Sequence, residues 1–166
     1  MTRIWKETGF VGDDPWIVET DETKAGEGER ALLPLAAFIE AAEASNDVGM
    51  GVLLGPADDV MALEPYLYRL EIVALTFAAF SDGRGYSQAS LLRDRLDYKN
   101  ELRATGDVLI DQIPLMLRTG IDSFAVRNPV ALKRLEEGRL PGIAEHYQPA
   151  ATSSEAVAGY SWRRRA

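Results

Sequence analysis

From residue 48 to residue 137 the chain alternates between two kinds of pattern. Short strand-like runs, apolar at 48–54, 71–80 and 121–126 and alternating at 101–105, are each followed by a stretch with helical spacing: 58–70, 87–96, a helix reaching Arg118, and one opened by Asn128. Apolar runs this short, separated by turn residues, read as strands. Strands that alternate with helices are joined by right-handed crossovers and lie parallel. The rhythm predicts an α/β chain with a mostly parallel sheet of about four βα units. It fits a doubly wound sheet and a half-barrel-like sheet alike.

Local signals sharpen some boundaries. Asn128 can cap a helix with Pro129 at its first position, and Gly138 can end it. Pro114 would cost about 3 kcal/mol inside a helix begun at Asp107. A later start, with Asp111 as N-cap, puts it in the first turn where its nitrogen has no bond to lose. Ahead of the rhythm lies a small N-terminal β segment: pieces at 3–6, 9–11 and 16–18, with Gly12-Asp13-Asp14-Pro15 as a turn between the last two. Residues 21–30 read as a charged loop, and 32–44 as a helix with Pro34 in its first turn. We expect one domain over 1–149 and a polar tail over 150–166 that carries Tyr160, Trp162 and three arginines.

In a parallel sheet, ligands sit where loops leave the carboxyl ends of the strands. Asp82, Gly83, Arg84 and Gly85 follow the second strand. Glycines let backbone approach a ligand, Ser87 would cap the next helix, and Arg84 suits a carboxylate or phosphate-like oxyanion. The same residues also make a plain glycine turn with Arg84 paired to Asp82. On the third strand Glu101, Arg103 and Thr105 share one face by alternation. That face lines a pocket with Asp107, Asp111 and Gln112, or it holds an internal Glu–Arg network; the pattern leaves both open.

Composition narrows the chemistry. There are no cysteines, so no disulfide, thiol nucleophile or cysteine-held cluster forms in this chain. His146 is the one histidine, which leaves no two-imidazole site. A net charge of −8 opposes nonspecific nucleic-acid binding. No apolar run is long enough to span a bilayer, and MTRIWKETGF lacks the apolar core of an export signal, so the expected location is cytoplasmic. Carboxylates without histidine suit magnesium, but Arg84 and Arg103 already balance the acids, and we expect neither metal nor cofactor.

Three segments carry a resemblance. Residues 80–93 follow F-x-DGRGYS-x-A-x-LLR, residues 100–112 follow GELRA-x-GDVL-x-DQ, and residues 120–124 follow GFD-x-F. Asn100 and Ile121 depart from these patterns, and Pro114 interrupts the helix. The chain resembles a family of uncharacterised bacterial proteins usually encoded beside assimilatory sulfite reductase and described as an oxidoreductase of sulfite reduction. That resemblance implies a place in sulfite reduction and brings no catalytic residue with it. Six-electron reduction needs siroheme and an iron–sulfur cluster, which a chain without cysteine does not hold. The role expected is therefore accessory: binding an oxyanion, or docking to the sulfite reductase subunits. A small barrel-like enzyme using the Asp/Glu/Arg cluster, with or without magnesium, or an interaction module with an internal salt-bridge network, are the alternatives. A sheet this small leaves edges to cover, from which we expect a homodimer.

Overall fold

A computed structural model of the chain describes residues 2–20, 23–79 and 81–141. Strands β1 (Arg3–Lys6), β2 (Gly9–Phe10), β3 (Trp16–Val18), β4 (Arg30–Pro34), β5 (Met50–Leu54), β6 (Leu70–Phe77), β7 (Glu101–Gly106) and β8 (Ser123–Val126) form one sheet. Their order is β2-β1-β8-β7-β6-β5-β4-β3. Every neighbouring pair from β3 to β8 is parallel, whereas β1 runs antiparallel to both β8 and β2. The sheet is thus mixed rather than mostly parallel. The reason is local, because β1 and β2 are joined only by Glu7 and Thr8, and so short a link makes a hairpin, not a crossover. The order never reverses from β3 to β8, as a doubly wound sheet would require, and the sheet curls as a half-barrel.

Right-handed crossovers taken always in the same direction put the helices on one side of a sheet. These are α1 (Leu35–Ala44), a 3₁₀ helix (Val60–Arg69), α2 (Arg84–Ser90) running into a π-turn (Leu91–Arg95), α3 (Ile113–Arg118) and α4 (Pro129–Glu136). Alternate strand residues Val52, Leu54, Val73, Leu75, Leu102 and Phe124 share a core with Phe38, Leu63, Leu92 and Met116 from the helices. Each such side chain, fully buried, stabilises the fold by roughly 1.5–3 kcal/mol. The concave face differs: Leu32, Ile72 and Ala74 form a small second cluster under Trp16 and Leu53. Toward β7 and β8 this face turns polar at Glu101, Arg103 and Ser123.

Some boundaries move. Residues 32–34 belong to β4, not to the helix, because Leu32 and Leu33 pair with Gly51 and Val52. An apolar run beside a helix reads the same whether it pairs or coils. The second of the helices predicted after residue 58 begins at Arg84, not Ser87. α3 begins late, with Pro114 in its first turn, but Gln112 rather than Asp111 holds the N-cap position. Asn128 caps α4 through bonds from the Val130 and Ala131 N–H groups, and Gly138 closes it at φ 67.

Residues 11–15 form a strap from β2, at one edge of the sheet, to β3, at the other. A flat sheet of eight strands spaced about 4.8 Å apart would put these edges roughly 34 Å apart. Six residue steps from Phe10 to Trp16 reach about 22 Å at most. The sheet must curl for the strap to close it. The Val11 N–H donates to the Ile4 carbonyl at 2.9 Å, and the Arg30 N–H to the Pro15 carbonyl at 2.7 Å. Trp16 then lies so close over Gly51 that a Cβ there would meet the indole at 2.4 Å, and Arg30 stacks on Trp16 at 4.1 Å. The edge strands β2 and β3 are two and three residues long. His146, the tail with Tyr160 and Trp162, and Phe80 of the motif lie outside the described residues. No described helix is long and apolar enough to cross a membrane.

Candidate functional site

Most of the residues singled out by sequence fall into three places. The first is the junction after β6. Arg84 turns back on Asp82, with Nε at 2.9 Å and Nη2 at 2.7 Å from its carboxylate. The hydrogen bond from the Arg84 side chain, helped by its backbone N–H, brings the Asp82 carboxyl down to about 2. Gly85 is required by packing, because a Cβ would stand 2.7 Å from the Phe77 ring. Gly83 has open space around it and no positive φ. Ser87 is exposed within α2 and caps nothing. Because the Arg84–Asp82 pair is exposed and local, Arg84→Ala should leave the melting temperature unmoved. Differential scanning fluorimetry checks this; a clear drop would mean the pair supports the junction.

The second place is the concave face beneath the strap. The Arg103 side chain, only 3% exposed, grips the Asp14 carboxylate with both terminal nitrogens at 2.7 Å. It also donates to Glu101 at 2.7 Å and, at 3.3 Å, to the Ser123 hydroxyl. Glu101 accepts from Ser123 and from Lys6, both at 2.6 Å. Burial pushes the Glu101 carboxyl up, but the bonds from Lys6, Ser123 and Arg103 outweigh it and hold the carboxyl below its ordinary value. Burial opposes the Arg103 charge, and Asp14 and Glu101 more than offset that. Of the two readings open for this face, the geometry is that of an internal network. It ties the strap to β7, β8 and β1.

The third place is a cleft of about 410 Å³ at the carboxyl ends of β6, β7 and β8. Thr76, Phe77, Ala78, Gly106, Asp107, Val108, Arg127 and Asn128 line it. Gly106 makes it possible: at φ 89 the chain turns off β7, and a Cβ would lie 2.4 Å from the Phe77 carbonyl oxygen. That oxygen accepts the Asp107 N–H at 2.8 Å. Arg127 donates through Nη2 to the Gly106 carbonyl at 3.2 Å and has no carboxylate partner among the described residues. Asn128 spends its side-chain oxygen on the start of α4.

Of the predicted residues, only Asp107 reaches this cleft. Asp111 is exposed and lies toward Tyr86, whose hydroxyl is pushed up first by burial and then by the Asp111 charge. Gln112 is buried at the head of α3. Asp82, Glu101 and Asp107 are divided among the three places, and no described group of acidic or imidazole side chains is arranged to hold a metal. Arg93, from the shared LLR segment, is a hub: it donates to the Gly120 and Asn100 carbonyls at 2.9 Å and pairs with Asp122 at 2.5 Å. Gly120, at φ 90, leaves that side chain room.

Sequence reasoning missed Arg127, Asn128, Asp14, Lys6 and Ser123. Arg127 had a signal, since it is the first residue past an apolar strand and precedes a helix cap. A family model described as a bacterial protein of unknown function (DUF934) matches residues 51–158. No curated protein and no solved structure matches the chain.

Proposed function

The chain belongs to this bacterial family of unknown function, and from that premise we propose that it is an accessory protein of sulfite reduction that binds a small oxyanion in the cleft at the ends of β6, β7 and β8. The observation that carries the reading is Arg127. Arg103 and Arg93 are committed to partners within the fold, and Arg84 is paired with Asp82. Arg127 lines the cleft and makes no ion pair with a carboxylate among the described residues. A guanidinium so placed suits an oxyanion, which it grips through two parallel N–H bonds. The start of α4, at the same cleft, favours negative charge. The tie to sulfite comes from the resemblance of the three motif segments and supplies the ligand to try first.

Titration calorimetry with sulfite on the intact chain tests it. Arg127→Gln should weaken binding about 10- to 100-fold, the worth of hydrogen bonds to a charged group. Sulfite binding that ignores this substitution, or no binding at millimolar sulfite, would overturn the reading.

A further inference from the structure

We infer that the ligand of this cleft is a zwitterion: a small molecule that carries its oxyanion group and an ammonium group on one short apolar body. The inference rests on the oxyanion reading above and adds the other half of the ligand. Asp107 lines the same cleft, is exposed, and has no side-chain partner among the described residues. A bare oxyanion held by Arg127 would face that carboxylate, and like charges oppose each other's binding. Arg127 and Asp107 share the cleft yet form no ion pair. Arg127 is anchored on the Gly106 carbonyl, and Asp107 leaves the strand after the φ 89 turn. The cleft therefore presents a cation and an anion that do not pair with each other, which matches the two ends of a dipolar ligand.

Size and lining agree. A volume of about 410 Å³ lies in the range of sites for small organic molecules. That is more than a bare oxyanion fills. Of the apolar lining residues Phe77 and Val108 are themselves buried, and exposed Ala78 is the surface suited to methylene groups.

Calorimetry on the intact chain with 2-aminoethanesulfonate, ethanesulfonate and sulfite separates the two halves. The aminosulfonate should bind at least about 10-fold tighter than ethanesulfonate. Asp107→Asn should erase that difference without weakening ethanesulfonate, and circular dichroism should show the variant folded. If sulfite or ethanesulfonate binds as tightly as the aminosulfonate and Asp107→Asn tightens them, the zwitterion inference fails while the oxyanion reading stands. A preference for the aminosulfonate that survives Asp107→Asn also overturns the inference, because Asp107 would not be its source. Binding of none of the three removes the oxyanion reading and the inference with it.

Discussion

Arg103→Ala should lower the stability of the fold by about 3–5 kcal/mol, the usual cost of breaking a buried pair from one side. For a chain of this length that is a fall of roughly 10 °C in melting temperature. The substitution leaves the carboxylates of Asp14 and Glu101 without the cation that joins them. Asp14 then has nothing to hold the middle of the strap against the sheet. The strap keeps only its backbone bonds at Val11 and Pro15. Asp14→Asn, which keeps shape and one acceptor, should cost less.

The acid limb of the stability curve offers an independent check. Glu101 sits below its ordinary value of 4.5 when folded. A carboxyl depressed by folding contributes stability that is present above its unfolded pKa and lost as pH falls through the folded one. The intact chain should weaken on acidification below about pH 4.5, and Arg103→Ala should weaken less steeply there because part of that depression is already gone. An unchanged melting temperature in Arg103→Ala would mean that the network does not support the fold, and Arg103 would return to the candidates for ligand binding.

Gly106→Ala should cost about 3 kcal/mol or more, from two sources that add. A left-handed backbone costs an L-residue about 1–2 kcal/mol by itself. The new methyl would also stand 2.4 Å from the Phe77 carbonyl oxygen, which is backbone and cannot rotate away. The ends of β6 and β7 would have to separate, and the Asp107 N–H would lose its acceptor. Gly83→Ala is the matched control, with φ −84 and no atom within 4 Å of its added Cβ. Urea midpoints should fall sharply for the first variant and stay put for the second. Equal midpoints would show that the β6–β7 ends yield easily, and that Gly106 is not what shapes the cleft.

The rhythm of the chain was readable because it is local. Asn128, Pro129 and Gly138 mark the last helix by their own backbone chemistry, and Pro114 dates the start of α3. What sequence could not supply was pairing at a distance. Nothing near Arg3–Lys6 says that this strand joins the last one, so the antiparallel edge stayed hidden, and the half-barrel curl stood only as one of two alternatives. The Glu101–Arg103 alternation shows the same limit. A polar strand face serves a pocket or a salt-bridge network equally, and the partner that decides between them, Asp14, lies 89 residues away. Gly85 looked like a ligand-approach glycine because a glycine against an aromatic ring and a glycine against a ligand are the same letter. Arg127 passed unnoticed because it stands alone, outside any motif.

The pairing of β1 with β8 also sets a timetable. A chain made from its amino end completes the hairpin of β1 and β2 first, and β8, the strand that receives it, ends at Val126. At about 5–20 residues per second, synthesis of the intervening hundred or so residues takes roughly 5–20 s. Through that interval the hairpin has no sheet to join, and Asp14 waits for an arginine not yet translated. The entropy of closing so long a loop is met only when the last strand arrives. Docking of the β1–β2 hairpin therefore comes last, and a ribosome that stops short of β8 leaves residues 3–10 without a sheet to join.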